Sequence, residues 1–202
     1  MGARVIRETD PTTLSEAVYV LSAGGIIAAP TETCYGLLAD ATNSKAVARI
    51  FSIKGRPKSK ALSVFVFDER ELSQNAIMTV KARTLAKKYL PGPLTLVLKK
   101  RKPFRLSRLL SAGNTVAFRI SAHPFIAGLL FNYRKPITAT SANISGDKEI
   151  HSFKEAFRHF GRSVDLIIDG GNLLPGPPST VVDCSGKGIQ IIRKGAIKLK
   201  IN

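Results

Sequence analysis

Short apolar runs and longer amphipathic segments alternate along the 202-residue chain. Runs in which apolar residues are consecutive, or alternate with polar ones, predict β-strands. These runs cover residues 4–7, 26–29, 62–67, 94–98, 115–119, 137–140, 164–169, 179–184 and 189–193. Segments in which apolar residues recur three and four positions apart predict helices. Five such segments begin at Asp10, Asn43, Thr79, Pro124 and Ser152.

Residues that cap or break helices mark the ends of these segments. Asp10 is predicted to be the N-cap of the first helix, with Pro11 in its first turn, and Gly24 ends it. Asn43 is predicted to cap the second helix. The inner face of that helix would consist of Ala46, Val47, Ile50 and Phe51.

The order of the elements predicts the fold class. Strands and helices alternate, but some strands, such as 179–184 and 189–193, follow one another without a helix between them. That pattern favours a mixed sheet over a purely parallel one. A chain of this length can bury a core without disulfides. We therefore predict an α/β (α+β) fold with one domain over residues 1–202, a twisted mixed β-sheet flanked by helices.

The charge of the chain is strongly basic and points to polyanionic partners. Lys and Arg number 31 against 14 Asp and Glu, which gives a net charge of +17. Such an excess attracts nucleic acids and nucleotide phosphates. Residues 99–114 are predicted to form an exposed, mobile loop. This loop carries six cations, namely Lys99, Lys100, Arg101, Lys102, Arg105 and Arg108.

Several classes of site and location are not supported by the sequence. Cys34 and Cys184 are far apart, no CxxC pair occurs, and the three histidines lack metal-ligand spacing, so no metal site or disulfide is predicted. No GxxxxGK[ST] motif is present, so a nucleotide would bind without a P-loop. No run approaches the roughly 20 apolar residues of a membrane helix. With no apolar signal region, the expected location is the cytoplasm.

Polar clusters follow several predicted elements, which is where ligands bind in open α/β sheets. The clusters are PTETCYG at 30–36, KGRPKSK at 54–60, TSANISG at 140–146, PSTVVD at 178–183 and IRKG at 192–195. Each cluster alone is weak evidence, because Thr-rich turns often cap helices and Lys-rich loops are usually solvated. Their order and spacing together are far more specific.

The series PTETxYGL, KGRP, PGPLTLVL, VAFRI…HP, TSANISG, PSTVVD and IIRKG resembles the YrdC family of threonylcarbamoyl-AMP synthases. The resemblance covers about residues 14–195, nearly the whole chain. Because the chain ends just after the last motif, the resemblance implies the short form of the family. That form consists of a YrdC-like domain only.

The resemblance implies a reaction and its substrates. Members of this family form a carbamate from bicarbonate and L-threonine, and the carbamate attacks the α-phosphate of ATP. Pyrophosphate leaves, and threonylcarbamoyl-AMP is formed. A downstream tRNA threonylcarbamoyl transferase then makes threonylcarbamoyladenosine (t6A) in tRNA. ATP is thus expected as a substrate, with Mg²⁺ on its phosphates. Negative charge that builds on phosphate oxygens is stabilised by positioned cations.

Candidate site residues follow from the same motifs. Catalytic roles are predicted for two cations of the KGRP loop, Lys54 and Arg56. The resemblance implies that ATP is bound by Arg56, Lys60, Thr115, Ser141, Asn143 and Arg193. It implies that threonine is held by Thr33, Arg119 and Ser179. The guanidinium of Arg119 is suited to bidentate contact with a carboxylate. The nucleophile comes from the substrates, so no covalent enzyme residue is expected.

Two departures from the family pattern leave alternatives open. Ala61 stands where many relatives have Pro, and Phe65 stands where some have a His that reaches the threonine. Because Phe forms no conventional hydrogen bond, a carbamoyl-handling relative with another acceptor stays possible. The other alternative is a non-catalytic double-stranded RNA or tRNA-binding protein on the same fold, which the charge and residues 99–108 favour. A pure RNA binder has no use for polar pocket residues at strand ends.

Overall fold

The computed structural model describes residues 2–199. Within this range the strands are β1 (Arg4–Arg7), β2 (Ile27–Ala29), β3 (Gly36–Leu38), β4 (Ser63–Phe65), β5 (Ala76–Ile77), β6 (Leu94–Lys100), β7 (Ser111–Ala112), β8 (Thr115–Arg119), β9 (Ile137–Ser141), β10 (Leu166–Asp169), β11 (Thr180–Asp183) and β12 (Gln190–Arg193). The helices are α1 (Thr13–Ser22), α2 (Ser44–Ile53), α3 (Glu69–Asn75), α4 (Val80–Tyr89), α5 (Pro124–Tyr133) and α6 (Phe153–Phe160), and Arg108–Leu110 forms a short 3-10 helix.

The strands form one mixed sheet, which confirms the predicted fold class. Its order is β1-β10-β2-β3-β9-β4-β8-β6-β11-β12, with β5 beside β6 and β7 beside β8. The pairs β1/β10, β10/β2, β4/β8 and β6/β11 are parallel. The register places Gly36 opposite Ser141 and Phe65 opposite Arg119. This pairing brings residues from two of the predicted polar clusters, and from β4 and β8, to neighbouring positions of the sheet.

The sheet separates two hydrophobic cores, because successive residues of a strand point to opposite faces. On β2, Ile27 and Ala29 belong to the core that α1 and α5 cover. Ala28, between them, belongs to the core that α2 covers. The buried face of α2 is the predicted one, Ala46, Val47, Ile50 and Phe51. Both cores hold the strands firmly, so the loops that leave them are fixed at their bases.

Helix capping agrees with the sequence at three helices and differs at one. The side chains of Asn43, Thr79 and Ser152 accept backbone hydrogen bonds at the N-termini of α2, α4 and α6, as their types predict. The predicted N-cap role of Asp10 is wrong, since Thr12 occupies that position. Asp10 Oδ1 instead accepts from Thr12 N at 2.8 Å and Thr12 Oγ1 at 2.7 Å. Asp side chains commonly close such turns in competition with capping.

The prediction of an exposed, mobile loop over residues 99–114 is wrong where the segment is regular or buried. Strand β6 continues to Lys100, and the 3-10 helix and β7 follow. Leu106 and Leu110 lie in the core beneath α2 and tie the segment down. The sequence patterns also do not predict β3 and α3, because both are short and carry no long apolar pattern. No helix within residues 2–199 is long and apolar enough to cross a membrane.

Candidate active site

A cavity of about 140 Å³ lies where the ends of several strands meet. Its walls come from the turn before β3, the loop after α2, the ends of β8 and β9, and the residues that flank β11 and β12. Six predicted site residues line it, namely Thr33, Arg56, Arg119, Ser141, Ser179 and Arg193. Residues that are up to 160 positions apart in sequence thus share one small space.

The turn before β3 is closed by its own hydroxyl groups. Thr31 Oγ1 donates to Cys34 O at 2.7 Å and accepts from Thr33 N and Cys34 N at 3.2 and 3.3 Å. Thr33 Oγ1 lies 3.1 Å from Thr31 Oγ1, and both side chains are buried. This turn fixes the Thr33 hydroxyl at the cavity wall.

Arg119 is a buried guanidinium at the end of β8. Its Nε donates to Gly92 O at 3.2 Å, and its Nη1 lies 3.5 Å from Thr33 Oγ1. Nη2 is 2.9 Å from Glu32 Oε1, but without the geometry of a hydrogen bond, so it keeps donor capacity. Burial lowers the pKa of Arg119, and the Glu32 carboxylate opposes that shift. A carboxylate ligand would complete this site.

Glu32 is in turn held on the far side of Arg119. Its Oε2 accepts from Ser121 Oγ at 2.6 Å, and its Oε1 accepts from Ala122 N at 3.1 Å. The Arg119 guanidinium also lies over the Phe65 ring, 5.6 Å from its centroid. Phe65 therefore supports Arg119 from one face, so the position that departs from the family pattern belongs to the cavity wall.

At the C-terminal end of α2, the side chains of Lys54 and Arg56 point in different directions. Arg56 N donates to Phe51 O at 3.0 Å and Gly55 N donates to Ser52 O at 3.1 Å, a Schellman arrangement with Gly55 at φ 56°. This reversal turns the Lys54 side chain inward, where it is 1% exposed. Arg56 follows the reversal and reaches the cavity.

Lys54 holds the TSANISG turn from beneath and does not line the cavity. Its Nζ donates to Ser141 O, to Asn143 O at 2.7 Å and to Asn143 Oδ1 at 3.0 Å. Ser141 Oγ donates to the same Asn143 oxygen at 2.6 Å. Burial, and then the charge of Arg56, lowers the pKa of Lys54 to about 8. Three carbonyl acceptors match the three ammonium hydrogens and favour the charged form.

Arg56 is oriented by the loop that follows it. Its Nε donates to Lys60 O at 2.7 Å and its Nη2 donates to Ala61 O at 3.1 Å. Lys60 itself is exposed and does not line the cavity, so its backbone carbonyl contributes more here than its ammonium. Burial lowers the pKa of Arg56.

The last two clusters are joined by one side chain. Arg193 Nη2 donates to Ser179 O and to Ser179 Oγ, both at 2.9 Å. Ser179 Oγ also lies 2.9 Å from Thr95 Oγ1 of β6. Arg193 thereby connects β12 to the residue that precedes β11 and places a third guanidinium at the cavity.

Four predicted site residues lie outside the cavity wall. They are Lys54 and Lys60, together with Asn143 and Thr115. Asn143 is buried and uses its amide to donate to Asp147 O at 2.7 Å. Thr115 begins β8, four residues or roughly 13 Å before Arg119 at the usual rise of a strand. Its hydroxyl donates to Ala112 O at 2.9 Å.

The sequence motifs do not reveal every residue of the wall. Glu149, Thr95 and Thr31 line the cavity although the motifs assign none of them a role. Glu149 follows the TSANISG cluster by three residues, so an acidic residue close behind that motif is an available signal. With three arginines and several hydroxyl groups, the cavity has the chemistry to bind an anionic ligand and stabilise developing negative charge.

Comparisons with known proteins find relatives over most of the chain. The family model Sua5_yciO_yrdC, described as telomere recombination, matches residues 19–195. A threonylcarbamoyl-AMP synthase from Pyrococcus abyssi is 39% identical over 180 residues, 88% of this chain and 52% of the relative. One from Bacillus subtilis is 36% identical over 94% of this chain and 55% of the relative. The chain thus spans about half the length of these two curated relatives.

Solved structures of similar proteins share the whole fold. The crystal structure of P. abyssi Sua5 complexed with L-threonine has a TM-score of 0.88 and 36% identity, covering 96% of this chain and 57% of that one. The crystal structure of E. coli YciO has a TM-score of 0.87 and 28% identity, covering 98% of this chain and 96% of that one. The second structure matches this chain over nearly the full length of both.

Proposed function

The chain belongs to the Sua5/YciO/YrdC family, and on that premise we propose that it is an L-threonylcarbamoyladenylate synthase. The reaction joins L-threonine, bicarbonate and ATP into threonylcarbamoyl-AMP and pyrophosphate. The observation that carries the proposal is the cavity in which Thr33, Ser141 and Ser179 meet three guanidinium groups. The cytoplasm is the proposed location, and a tRNA threonylcarbamoyl transferase is the proposed consumer of the product.

Arg119 is the proposed contact for the threonine carboxylate. Its Nη2 is buried and keeps a donor free, and the hydroxyl of Thr33 lies beside it. A guanidinium binds a carboxylate with two parallel hydrogen bonds, so one ligand would use this capacity. Ser179, fixed by Thr95 and Arg193, would add a hydroxyl contact to the same ligand.

Arg56 and Arg193 are the proposed contacts for the ATP phosphates. Both line the cavity, and both are held in place by backbone carbonyls. Guanidinium groups positioned in advance stabilise the charge that builds on phosphate oxygens as pyrophosphate leaves. The hydroxyl of Ser141 would contact the nucleotide, while Lys54 and Asn143 act by holding the turn that presents Ser141. Lys60 and Thr115 are proposed to reach ATP at the periphery.

Mg²⁺ is proposed to arrive on the phosphates of ATP. Among residues 2–199 there is no group of three or more His, Cys, Asp or Glu side chains that could hold a metal ion. Mg²⁺ in nucleotide sites is bound largely by substrate phosphates and water. The donor set of the cavity, which is mostly guanidinium and hydroxyl, fits the phosphates rather than the metal.

RNA binding is a second proposed activity, and it rests on the distribution of charge. Residues 72–146 contain thirteen Lys and Arg and no Asp or Glu. Ten of these cations belong to residues 81–108, on α4, on β6 and in the segment that follows. None of the ten lines the cavity. Such a surface suits phosphate backbones, and it would let the enzyme approach tRNA without use of the cavity.

The direct test of the synthase is release of pyrophosphate with each substrate omitted in turn. The proposal predicts release only when ATP, threonine and bicarbonate are all present. One control uses denatured protein. The other uses intact protein with serine as the amino-acid substrate in place of threonine. One methyl group gives about 1–3 kcal/mol of discrimination, so serine should support slower release. Release that ignores threonine or bicarbonate would rule the proposal out, and no release under any condition would favour the non-catalytic RNA-binding alternative.

A further inference from the structure

Glu149 is the one carboxylate among the described residues that line the cavity. Its side chain is half-buried, and it forms no hydrogen bond or ion pair with any residue of the range 2–199. Glu32, the acid beside Arg119, is fully occupied by Arg119, Ser121 and Ala122. A carboxylate that faces a ligand cavity without a partner is available to a positively charged group of the ligand.

The backbone on both sides of Glu149 is fixed. Asn143 Nδ2 donates to Asp147 O at 2.7 Å, and Tyr35 N donates to Ile150 O at 2.8 Å. The same Asn143 is held by the buried ammonium of Lys54. The backbone of Glu149 is therefore held at the cavity by a turn that is anchored to Tyr35, just before β3, and through Asn143 to Lys54 at the end of α2.

The cavity offers few groups that can accept a proton. Burial raises the pKa of the Cys34 thiol to about 12, with the Glu149 charge raising it and the Arg119 charge lowering it. Cys34 is thus a thiol, not a base, at neutral pH. Cys34, Glu149 and Arg119 all line the cavity. The other polar side chains of the wall are arginines and hydroxyl groups.

We propose that Glu149 binds the α-ammonium group of the amino-acid substrate and accepts its proton before the carbamate forms. This inference rests on the proposed synthase function and deepens it. An α-amino acid carries a carboxylate and an ammonium group on one carbon atom. Arg119 and Glu149, two opposite charges on one small cavity, complement that zwitterion and fix which end faces the nucleotide.

The proton transfer makes the amine a nucleophile. The ammonium gives one proton to the Glu149 carboxylate, and the free amine attacks the carbon of bicarbonate. The new C–N bond forms as a C–O bond breaks, and water leaves with the second amine proton. The products are the carbamate and a protonated Glu149, which returns one proton to solvent. No oxidant or reductant takes part. A positioned general base typically accelerates such a step by about 100-fold or more.

Charged and titratable groups lie on both sides of Glu149. On the cavity side they are Arg56, Arg119, Arg193 and Cys34, with Lys54 behind them. On the outer side a second cavity of about 190 Å³ brings Asp147, Lys148, Glu155 and His159 near the same turn. His159 is the one histidine among these outer residues, so it needs its own control.

The test compares Glu149→Gln with the parent protein in two measurements. Glutamine keeps the size of the side chain but accepts no proton. Calorimetric affinity for L-threonine, without ATP or bicarbonate, should fall about tenfold, while affinity for ATP should stay within about twofold. At neutral pH the rate of threonine-dependent pyrophosphate release should fall about 100-fold. The rate of the variant should then rise with pH, because hydroxide in solution deprotonates the amine and no base from the protein is needed. The rate of the parent should not rise in this way.

Asp147→Asn is the matched control, since this exposed acid lies two residues away and outside the active cavity. It should leave both measurements within about twofold, and so should His159→Gln. Glu149→Gln with the parent's threonine affinity and pH profile would overturn the proposal. So would a loss of ATP affinity alone, which would place the carboxylate beside Mg²⁺ and the phosphates. If the parent releases no threonine-dependent pyrophosphate, the synthase function itself fails, and that result is distinct from an active parent with an unaffected variant.

Discussion

Arg56 and Lys54 are separated by one residue, and their substitution is predicted to have different effects on the protein. Arg56 lines the cavity and is half-buried, so Arg56→Ala removes a cation from the reacting phosphates and leaves the core intact. Adenylate formation should fall on the order of 100-fold, with the free energy of unfolding within about 1 kcal/mol of the parent. Pyrophosphate release and urea denaturation measure the two quantities. An Arg56→Ala protein with full activity would remove Arg56 from the site.

Lys54→Met should instead affect stability and activity together. The methionine leaves Ser141 O, Asn143 O and Asn143 Oδ1 without their buried donor. A buried acceptor that loses its partner costs about 1–3 kcal/mol, so the denaturation midpoint should drop. The turn that carries Ser141 and Glu149 should loosen, and ATP affinity should fall with it. Unchanged stability would contradict the role of Lys54 as the support of this turn.

The stability of the protein should depend on pH through Lys54. Burial, and then Arg56, holds the pKa of Lys54 at about 8 in the folded protein, below its ordinary value of 10.5. Between these values the unfolded chain binds more protons than the folded one, so the free energy of unfolding gains a positive slope with pH. The parent should therefore gain stability relative to Lys54→Met as pH rises from about 8 to about 10. A constant difference between the two proteins over that range would contradict the shift.

Motifs identify which side chains matter but not where each one points. Thr33, Arg119, Ser179 and Arg193 come from four separate clusters or strands, and all four line one cavity. The sequence predicts that Lys54 acts at the cavity, yet it lies beneath, because the Schellman reversal at Gly55 turns it inward. Only the three-dimensional course of a turn decides such a direction. For Glu149 the sequence offers a signal, an acid three residues behind the TSANISG cluster, but not the direction of the side chain.

At the scale of elements, the segment from β6 to the 3-10 helix is predicted to bind RNA and not to act in catalysis. Arg101 and Lys102 are exposed. The Lys100 ammonium lies over the Phe104 ring and forms a long hydrogen bond with the Ser111 hydroxyl. Changing Lys100, Arg101 and Lys102 together to Ser should leave pyrophosphate release within a few-fold of the parent. Affinity for bulk tRNA should weaken, and its salt dependence should flatten by about one unit of slope for each phosphate that the variant no longer neutralises.

A second triple variant separates this surface from net charge alone. Lys154, Arg158 and Arg162 are exposed on and just after α6, away from residues 81–108. Changing all three to Ser removes the same charge and should leave the salt slope of tRNA binding close to that of the parent. Equal effects of the two triple variants on tRNA affinity would mean that tRNA binding depends only on the overall charge of the protein. Loss of adenylate formation in the first variant would place the segment over the nucleotide.

Elements with a strong period can be predicted from the sequence, and short ones cannot. Strand β8 has the predicted bounds, Thr115–Arg119, and helix α5, Pro124–Tyr133, begins at the predicted residue. Strand β3 escapes prediction because its three residues follow a polar turn, and one of its partners, β9, is far away in sequence. The segment after β6 has the sequence pattern of a loop because Leu106 and Leu110 stand among many cations. The burial of these two residues depends on tertiary packing, which the pattern does not contain.

At the scale of the whole molecule, charge and chemistry occupy different regions. Ten of the cations lie within residues 81–108 and none of them lines the cavity, whereas the cavity balances three arginines against Glu149. The sheet order explains the cavity, since β3, β9, β4 and β8 are neighbours and their ends converge on it. If the proposed RNA surface and the cavity both bind their ligands, we expect tRNA and the substrates not to compete.

The central claim is that this cavity makes threonylcarbamoyl-AMP, and mass spectrometry of the nucleotide product tests it most directly. Purified protein is incubated with ATP, L-threonine and ¹³C-labelled bicarbonate, and the nucleotides are measured at once. We expect an adenylate whose mass contains one threonine and one labelled carbon, present with the parent protein and nearly absent with Arg56→Ala. An adenylate without the labelled carbon, or AMP alone with no threonine adduct, would contradict the proposed synthase activity.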